Sequence, residues 1–276
     1  MGIEVAFFGM GRVGLALSRF FLERGVPVGP VYSRSEASRE RARLLLPGVE
    51  VVDDVSALSG ARLLFVTVSD GAIAGVARML RAFLPDAVIV HTSGAHPSSL
   101  IPGEGRASCH ILQSIARPED ASELIESSLF TVEGDERGLS LLLPLLEELG
   151  LRYVVIEEEA KPLYHAAAVV ASNYLVTLMH QALSVLSASG FPLDLGLEGL
   201  VALARGTLSN IEAKGVKNAL TGPIARGDWD TVRLHVEKLR DFPELEAFYR
   251  FMADLTCRIA GRRLPPDLRG DDVSRP

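Results

Sequence analysis

Ile3-Glu4-Val5-Ala6-Phe7-Phe8-Gly9-Met10-Gly11-Arg12-Val13-Gly14 is the stretch on which the fold turns. Six residues, mostly apolar, run into a G-x-G-x-x-G spacing, and a helical period follows over Val13 to Arg24. Each glycine has a separate job in such a turn. Gly9 allows the tight reversal, Gly11 lets backbone approach a pyrophosphate, and Gly14 lets the helix pack on the strand. The helix start then offers free N–H groups and the positive end of its dipole to phosphate. The glycine spacing alone is weak. A strand before it, a helix after it and a second apolar run at Val26 to Tyr32 make it specific for a dinucleotide.

The same alternation continues outward. Helical periods cover Glu36 to Leu46, Gly71 to Leu84 and Leu139 to Leu149. Apolar strand-like runs cover Val49 to Val52, Ala61 to Val68, Ala87 to His91, Ser108 to Gln113, Leu129 to Glu133 and Arg152 to Ile156. Nearly continuous apolar strands with helices between them predict a parallel sheet covered on both faces. From Glu159 the pattern is helical only, broken at Gly190-Phe191-Pro192, Gly215, Gly222-Pro223, Gly227 and Pro243. The expected architecture is an N-terminal Rossmann domain, a doubly wound parallel sheet over residues 1–158. An all-helical substrate and dimerisation domain over 159–276 completes it. The tail from Leu264, rich in Pro, Arg and Asp, is expected to fray.

Bulk properties narrow the function. The 276 residues carry 28 Lys plus Arg against 35 Asp plus Glu, a formal net charge of -7, which gives no general attraction to nucleic acid or anionic membrane. The two cysteines, Cys109 and Cys257, have neither disulfide-framework nor zinc spacing, so no metal is expected and a reduced, cytoplasmic setting fits. Pro162 to Met179 is the most apolar segment. His165, Ser172 and Asn173 interrupt it, and it reads as a buried core helix rather than a membrane span.

The cofactor contacts follow from the strand ends. The phosphate loop is Gly9, Met10, Gly11, Arg12, Val13 and Gly14. NAD sites carry an acid about 20 residues further on, at the end of the second strand. Here that strand ends Tyr32-Ser33-Arg34-Ser35, without one. Arg34 suits a 2′-phosphate, and the Ser33 and Ser35 hydroxyls suit its oxygens, so NADP is expected over NAD. Arg39, one turn into the next helix, is placed to help. Thr67, Val68 and Ser69 end a further strand, near the expected nicotinamide ribose. Ser93 and Gly94 end another, near the nicotinamide or substrate. Asp70 reads as the N-cap of the next helix. His91 reads equally as a core histidine or a pocket residue.

Candidate chemistry lies on Glu159 to Leu186, read as one helix. Lys161, His165 and Ser172 fall within about 40° of one another at roughly 100° per residue, flanked by Tyr164 and Asn173. A polar stripe on an Ala/Val/Leu helix needs partners, because unpaired buried polar groups cost free energy. Hydride transfer to C=O or C=N also needs a proton donor, and Lys161 and His165 are the candidates. Asn173 and Ser93 suit substrate positioning. Further on, Thr221 to Asp228 forms a corner in which Asp228 is a helix N-cap and Arg226 is either structural or an anion ligand.

Several blocks carry a resemblance. They are the glycine motif, His91-Thr92-Ser93-Gly94-Ala95, His110-Ile111-Leu112-Gln113-Ser114, Lys161-Pro162-Leu163-Tyr164-His165-Ala166-Ala167-Ala168, Ala171-Ser172-Asn173-Tyr174, and Thr221 to Asp228. The N-terminal half resembles the dinucleotide domain of 6-phosphogluconate dehydrogenase, 3-hydroxyisobutyrate dehydrogenase, ketopantoate reductase and pyrroline-5-carboxylate reductase. The whole chain resembles the bacterial proteins that join a Rossmann-like domain to DUF2520, grouped as NADP- or deazaflavin-dependent oxidoreductases. That resemblance implies a dimerising helical domain and an active site in the cleft between domains. The dehydrogenase relatives also imply a catalytic Lys, which Lys161 matches, and an Asn one turn later, where this chain has His165. The expected function is NADP-dependent hydride transfer with a small, possibly anionic, carbonyl, hydroxy or imine substrate, in a homodimer. A non-enzymatic NADP-binding sensor is the second reading, and hydride exchange with a deazaflavin is the third.

Overall fold

The structure, a computed structural model, describes residues 3–269. The strands are β1 (Val5–Phe8), β2 (Val28–Tyr32), β3 (Val51–Val52), β4 (Leu63–Val66), β5 (Val88–His91), β6 (Arg106–Ile111), β7 (Leu129–Gly134) and β8 (Arg152–Val155). Interleaved with them are α1 (Arg12–Glu23), α2 (Glu36–Leu45), α3 (Asp70–Phe83), α4 (Ser122–Ser127) and α5 (Glu136–Glu148). Six helices follow: α6 (Lys161–Ala171), α7 (Asn173–Ala188), α8 (Leu193–Ala219), α9 (Pro223–Arg226), α10 (Trp229–Leu239) and α11 (Pro243–Ala260). Contacts divide the chain into two compact units, one ending at Ser172 and the next beginning at Asn173.

The first unit is built on one sheet in the order β3-β2-β1-β4-β5-β6-β7-β8. The side-chain period of two sorts its strands between two cores. Val5, Phe7, Leu63, Phe65, Val88 and Val90 face α1, α2 and α5. Ala6, Phe8, Leu64, Val66 and Ile89 face the other way, against Ala77 and Leu80 of α3. β1, β4 and β5 are therefore buried on both faces, which is why they are apolar without alternation.

The parallel sheet expected from sequence holds through β6. β7 runs antiparallel to β6, and β8 runs parallel to β7. The reason lies in the connection after β6. It is pinned to α1, where Arg19 donates to the Glu119 carbonyl at 2.7 Å and Ser122 donates to Glu23 at 2.5 Å. The chain therefore starts β7 at the end of the sheet where β6 stopped.

The second unit is all helix. Its small core joins Ile224, Val232, Val236, Ala253 and Cys257 to Leu264 and Leu268. The tail thus does not fray at 264–269, because two leucines anchor it; residues 270–276 lie outside the described residues. Asp228 caps α10 as expected, accepting from the Thr231 N–H at 3.2 Å and the Thr231 hydroxyl at 2.7 Å.

Two expectations about the apolar helix need correction. The run is broken at Ser172, whose φ of -113° and ψ of -69° separate α6 from α7, and no local proline or glycine accounts for the break. Nor is it a core helix. Lys161 is the only buried residue of α6, and α7 has none. By length and composition the stretch Glu158–Ala188 suffices to cross a membrane.

Candidate functional site

The carboxyl ends of β1, β2, β4, β5 and β6 share one edge of the sheet, as the pairings Phe8 with Tyr32, Phe8 with Val66, Val66 with His91, and His91 with Ser108 require. Ligands of open α/β sheets bind at that edge. The glycine loop sits on it. Gly9 has φ +106°, and its N–H donates to the Tyr32 carbonyl at 2.8 Å. A Cβ on Gly14 would stand 2.1 Å from the Gly9 carbonyl oxygen and 2.4 Å from the Thr67 hydroxyl. Only glycine lets α1 approach this closely. Gly11 differs: a Cβ there meets nothing within 4 Å. It is the N-cap of α1, no side chain caps that end, and no acid lies in the first turn. The helix N–H groups are thus left to an external anion beside an open backbone face, and a pyrophosphate fits.

The other predicted cofactor residues divide by exposure. Ser33 is buried, while Arg34 and Ser35 are exposed, and the Arg34 guanidinium has no carboxylate partner among the described residues. Arg39 is not free to help. It is buried, donating to the Ser33 and Arg34 carbonyls at 2.8 and 3.0 Å and pairing with Glu36. It braces the loop from behind. Thr67 is buried as well, donating to the Gly9 carbonyl at 2.5 Å beneath the glycine loop. Met10 belongs to the hydrophobic core, and Val68 packs against the second core. Ser69, not Asp70, is the N-cap of α3. Asp70 is its first residue, and its carboxylate lies 3.9 Å from His96.

Behind the β5 edge lies a buried polar network. His91 is fully buried, which settles it as a core histidine. Its Nε2 meets the Pro97 carbonyl at 3.1 Å and its Nδ1 accepts from the Ser93 N–H at 3.2 Å, so Nε2 carries the proton. Burial holds it down at about 4. The Ser93 hydroxyl accepts from the Ala95 and His96 N–H groups, and its carbonyl accepts from Ser108 and from Lys161, each at 3.2 Å. Lys161 has no exposed surface, and its Nζ also donates to Ser108 Oγ at 2.5 Å. Desolvation lowers its pKa, opposed chiefly by the Glu133 carboxylate. Glu133 in turn accepts from the backbone and hydroxyl of Ser98. Every member of this network holds the segment from Thr92 to Ser98 in place.

In front of it stand two imidazoles and a phenol. His110 Nδ1 meets the Tyr164 hydroxyl at 2.7 Å, and the His110 and His165 rings sit edge to face at 5.9 Å. A Cβ on Gly94 would lie 2.6 Å from His165 Nδ1 and 2.9 Å from His110 Nε2, so Gly94 makes room for both rings. His165 Nδ1 is buried without a hydrogen-bond partner. Burial pushes His110 down to about 4, helped by the neighbouring His165 and Lys161. The face of α6 read from sequence is thus assembled in part. Lys161 and His165 both reach the β5–β6 edge, while Asn173 opens the second unit.

A cavity of about 290 Å³ joins the two features. Arg12 and Val13 of the glycine loop form one wall, and Thr92, His110, Gln113 and Ser114 form others. A larger hollow of about 410 Å³ lies at the opposite sheet end beside Asp135 and Arg137. There Asp135 accepts from three backbone N–H groups, those of Gly105, Arg106 and Gly138, which makes it a structural clamp. The sequence reading gave no role to Ser108 or His110, although His110 opens one of the blocks that carry the resemblance. Their signal was periodic. Ala107, Cys109 and Ile111 alternate into the core of β6, leaving Ser108 and His110 as polar residues on the opposite face.

The family model "Rossmann-like domain" matches residues 2–112, and "Domain of unknown function (DUF2520)" matches residues 128–256. Protein TM1727 from Thermotoga maritima is 34% identical over 93% of this chain and 98% of its own, with a TM-score of 0.76. A Bacteroides fragilis protein assigned as an NADP oxidoreductase is 21% identical, with coverage of 93% and 98% and a TM-score of 0.74. An imine reductase from Myxococcus stipitatus, solved with NADP+, is 18% identical over 94% of this chain and 93% of its own, with a TM-score of 0.61. No curated protein sequence matches the chain.

Proposed function

The chain belongs to the family that joins a Rossmann-like domain to a DUF2520 domain, and on that premise we propose that it is an NADP-dependent oxidoreductase acting on a small carbonyl, hydroxy or imine compound. One observation carries the reading: the glycine loop and the imidazole cluster line the same cavity, Arg12 and Val13 from one side and His110 from the other. The NADP+-bound imine reductase shares the fold, which supports the cofactor class.

In this proposal Gly11 and the first turn of α1 hold the pyrophosphate, with Gly9 and Gly14 shaping the loop and Met10 anchoring it. Arg34 and Ser35 face the 2′-phosphate, and Ser33 and Arg39 shape their loop. Thr67, Val68 and Ser69 lie along the ribose, and Ser93 and Gly94 border the nicotinamide. When bound, the cofactor supplies a hydride to the C=O or C=N carbon. The imidazole cluster of His110 and His165 serves the proton side, and Asn173 orients the substrate. Lys161 spends its ammonium on Ser93 and Ser108, and so fixes the loop over which the substrate lies.

The same proposal includes a reduced, cytoplasmic setting, supported by two buried free thiols, Cys109 and Cys257. It also includes a homodimer, supported by large apolar side chains left bare on the helices, among them Leu163 at 80%, Val176 at 71% and Leu203 at 67% exposed. The cofactor assignment is tested by titrating NADPH and NADH against Arg34→Ala. The variant is expected to weaken NADPH roughly 10- to 100-fold, the worth of one charge-assisted pair, and to spare NADH. Equal losses would sink the 2′-phosphate role. NADPH bound but never consumed, across carbonyl and imine panels, favours the sensor reading.

A further inference from the structure

The sequence pointed to Lys161 and His165 as the proton-moving groups. Lys161 is wholly buried on Ser93 and Ser108. His165 is half-buried, its Nδ1 is shut against Gly94, and it does not line the cavity beside the glycine loop. His110 is placed differently. It lines the cavity that the glycine loop also lines. Its Nδ1 is taken by Tyr164, while Nε2 has no protein partner and is not sealed from solvent.

Resting on the oxidoreductase reading, we propose that His110 is a catalytic residue that presents its Nε2–H to the carbonyl oxygen or imine nitrogen of the substrate, and that Tyr164 is the positioning residue that fixes this tautomer.

The tautomer follows from the neighbours. Burial raises the Tyr164 pKa, so the phenol keeps its proton. Among the described residues, His110 Nδ1 is the one hydrogen-bond partner of that hydroxyl, at 2.7 Å. A phenol donates better than it accepts, and an imidazole nitrogen accepts well, so Tyr164 turns its O–H toward His110 Nδ1. A neutral imidazole that accepts at Nδ1 carries its proton at Nε2. Such an imidazole stabilises negative charge growing on oxygen or nitrogen as a hydrogen-bond donor, without itself being charged at neutral pH. Gly94 is required on this account, because a Cβ would stand 2.9 Å from the donating nitrogen.

The test pairs spectroscopy with kinetics. In nitrogen-15 histidine spectra of the full chain, wild type is expected to show His110 protonated at Nε2 and bare at Nδ1. Tyr164→Phe, which deletes one oxygen, is expected to give a tautomer mixture while binding NADPH as wild type does. On any carbonyl or imine compound that wild type reduces, His110→Gln is expected to lower kcat roughly 10²- to 10³-fold, the usual worth of one such donor. Tyr164→Phe is expected to lower kcat about tenfold with KM unchanged, a smaller share of that donor's effect. A wild-type His110 protonated at Nδ1 overturns the proposal. So does His110→Gln turning over at the wild-type rate, which leaves the oxidoreductase reading standing. If wild type binds NADPH and reduces nothing, that reading falls and the His110 role falls with it.

Discussion

The two units of this chain treat apolar residues in opposite ways. In the first, β1, β4 and β5 are buried along their whole length, and stacked rings such as Phe7 and Phe65, 5.4 Å apart, fill the space beneath the glycine loop. In the second, α7 buries no residue, and α8 buries only Gly196 and Ala219 over 27 residues. One unit closes its own core, and the other leaves apolar surface bare. The difference teaches where rigidity is needed. Phosphate recognition depends on backbone placed to within a fraction of an ångström, whereas an unpartnered helical face gains its stability by being covered.

The sharpest break of this contrast is aimed at the rigid unit. Gly14→Ala sets a Cβ 2.1 Å from the Gly9 carbonyl, backbone that cannot rotate away. Overpacking of this kind costs about 3 kcal/mol, at the upper end for a tight core. The expected result is a large fall in the denaturation midpoint together with loss of NADPH binding. Normal binding in this variant would show the loop to be far softer than its geometry.

A comparable effect should come from pH. His91 and His110 sit near 4 in the folded chain, against 6.5 when unfolded. Both are held neutral, so folding loses free energy as pH drops: nothing is lost above 6.5, and the loss is complete near 4. Each accounts for about 3 kcal/mol, an order-of-magnitude figure from 1.36 kcal/mol per unit. Denaturant melts should therefore steepen in their pH dependence between 6.5 and 4. His91→Asn should remove about half of that slope. An unchanged slope would mean that His91 opens to water more readily than its full burial implies.

A middle-sized effect probes the bare helices. If a second copy covers them, Val176→Glu together with Leu203→Glu puts two charges into that contact. Central interface substitutions cost about 2 kcal/mol or more, so the dimer dissociation constant should rise at least tens of fold in sedimentation. A wild type that is monomeric at micromolar concentration breaks the dimer reading, and retention on lipid vesicles would replace it with a membrane surface.

Legibility in the sequence followed the same division. Gly9, Gly11 and Gly14 and the strand edges were readable because each residue answers to local backbone geometry. Lys161 and His165 were readable as a pair because one helical turn separates them. What each does was not, since the partners of Lys161, Ser93 and Ser108, come from segments more than 50 residues away, the loop after β5 and β6 itself. The reversal of β7 was hidden for a similar reason, because it depends on Arg19 reaching the Glu119 carbonyl 100 residues on. The break at Ser172 carries no local signal, so the run looked like one core helix. Burial there depends on what packs against the helix, which composition does not encode.

The smallest effect separates local from collective stability in the second unit. Asp228 caps α10 through the Thr231 N–H and hydroxyl, a contact wholly within that helix start. Asp228→Ala removes it at a cost of about 1 kcal/mol. Amides of Trp229–Leu239 should then exchange faster by about fivefold, because 1.4 kcal/mol corresponds to tenfold in an opening equilibrium. The core pairing of Val232 and Val236 with Ala253 and Cys257 lies outside the cap and should keep α11 protected. Were protection to fall equally in α10 and α11, the small core would be opening as one cooperative piece.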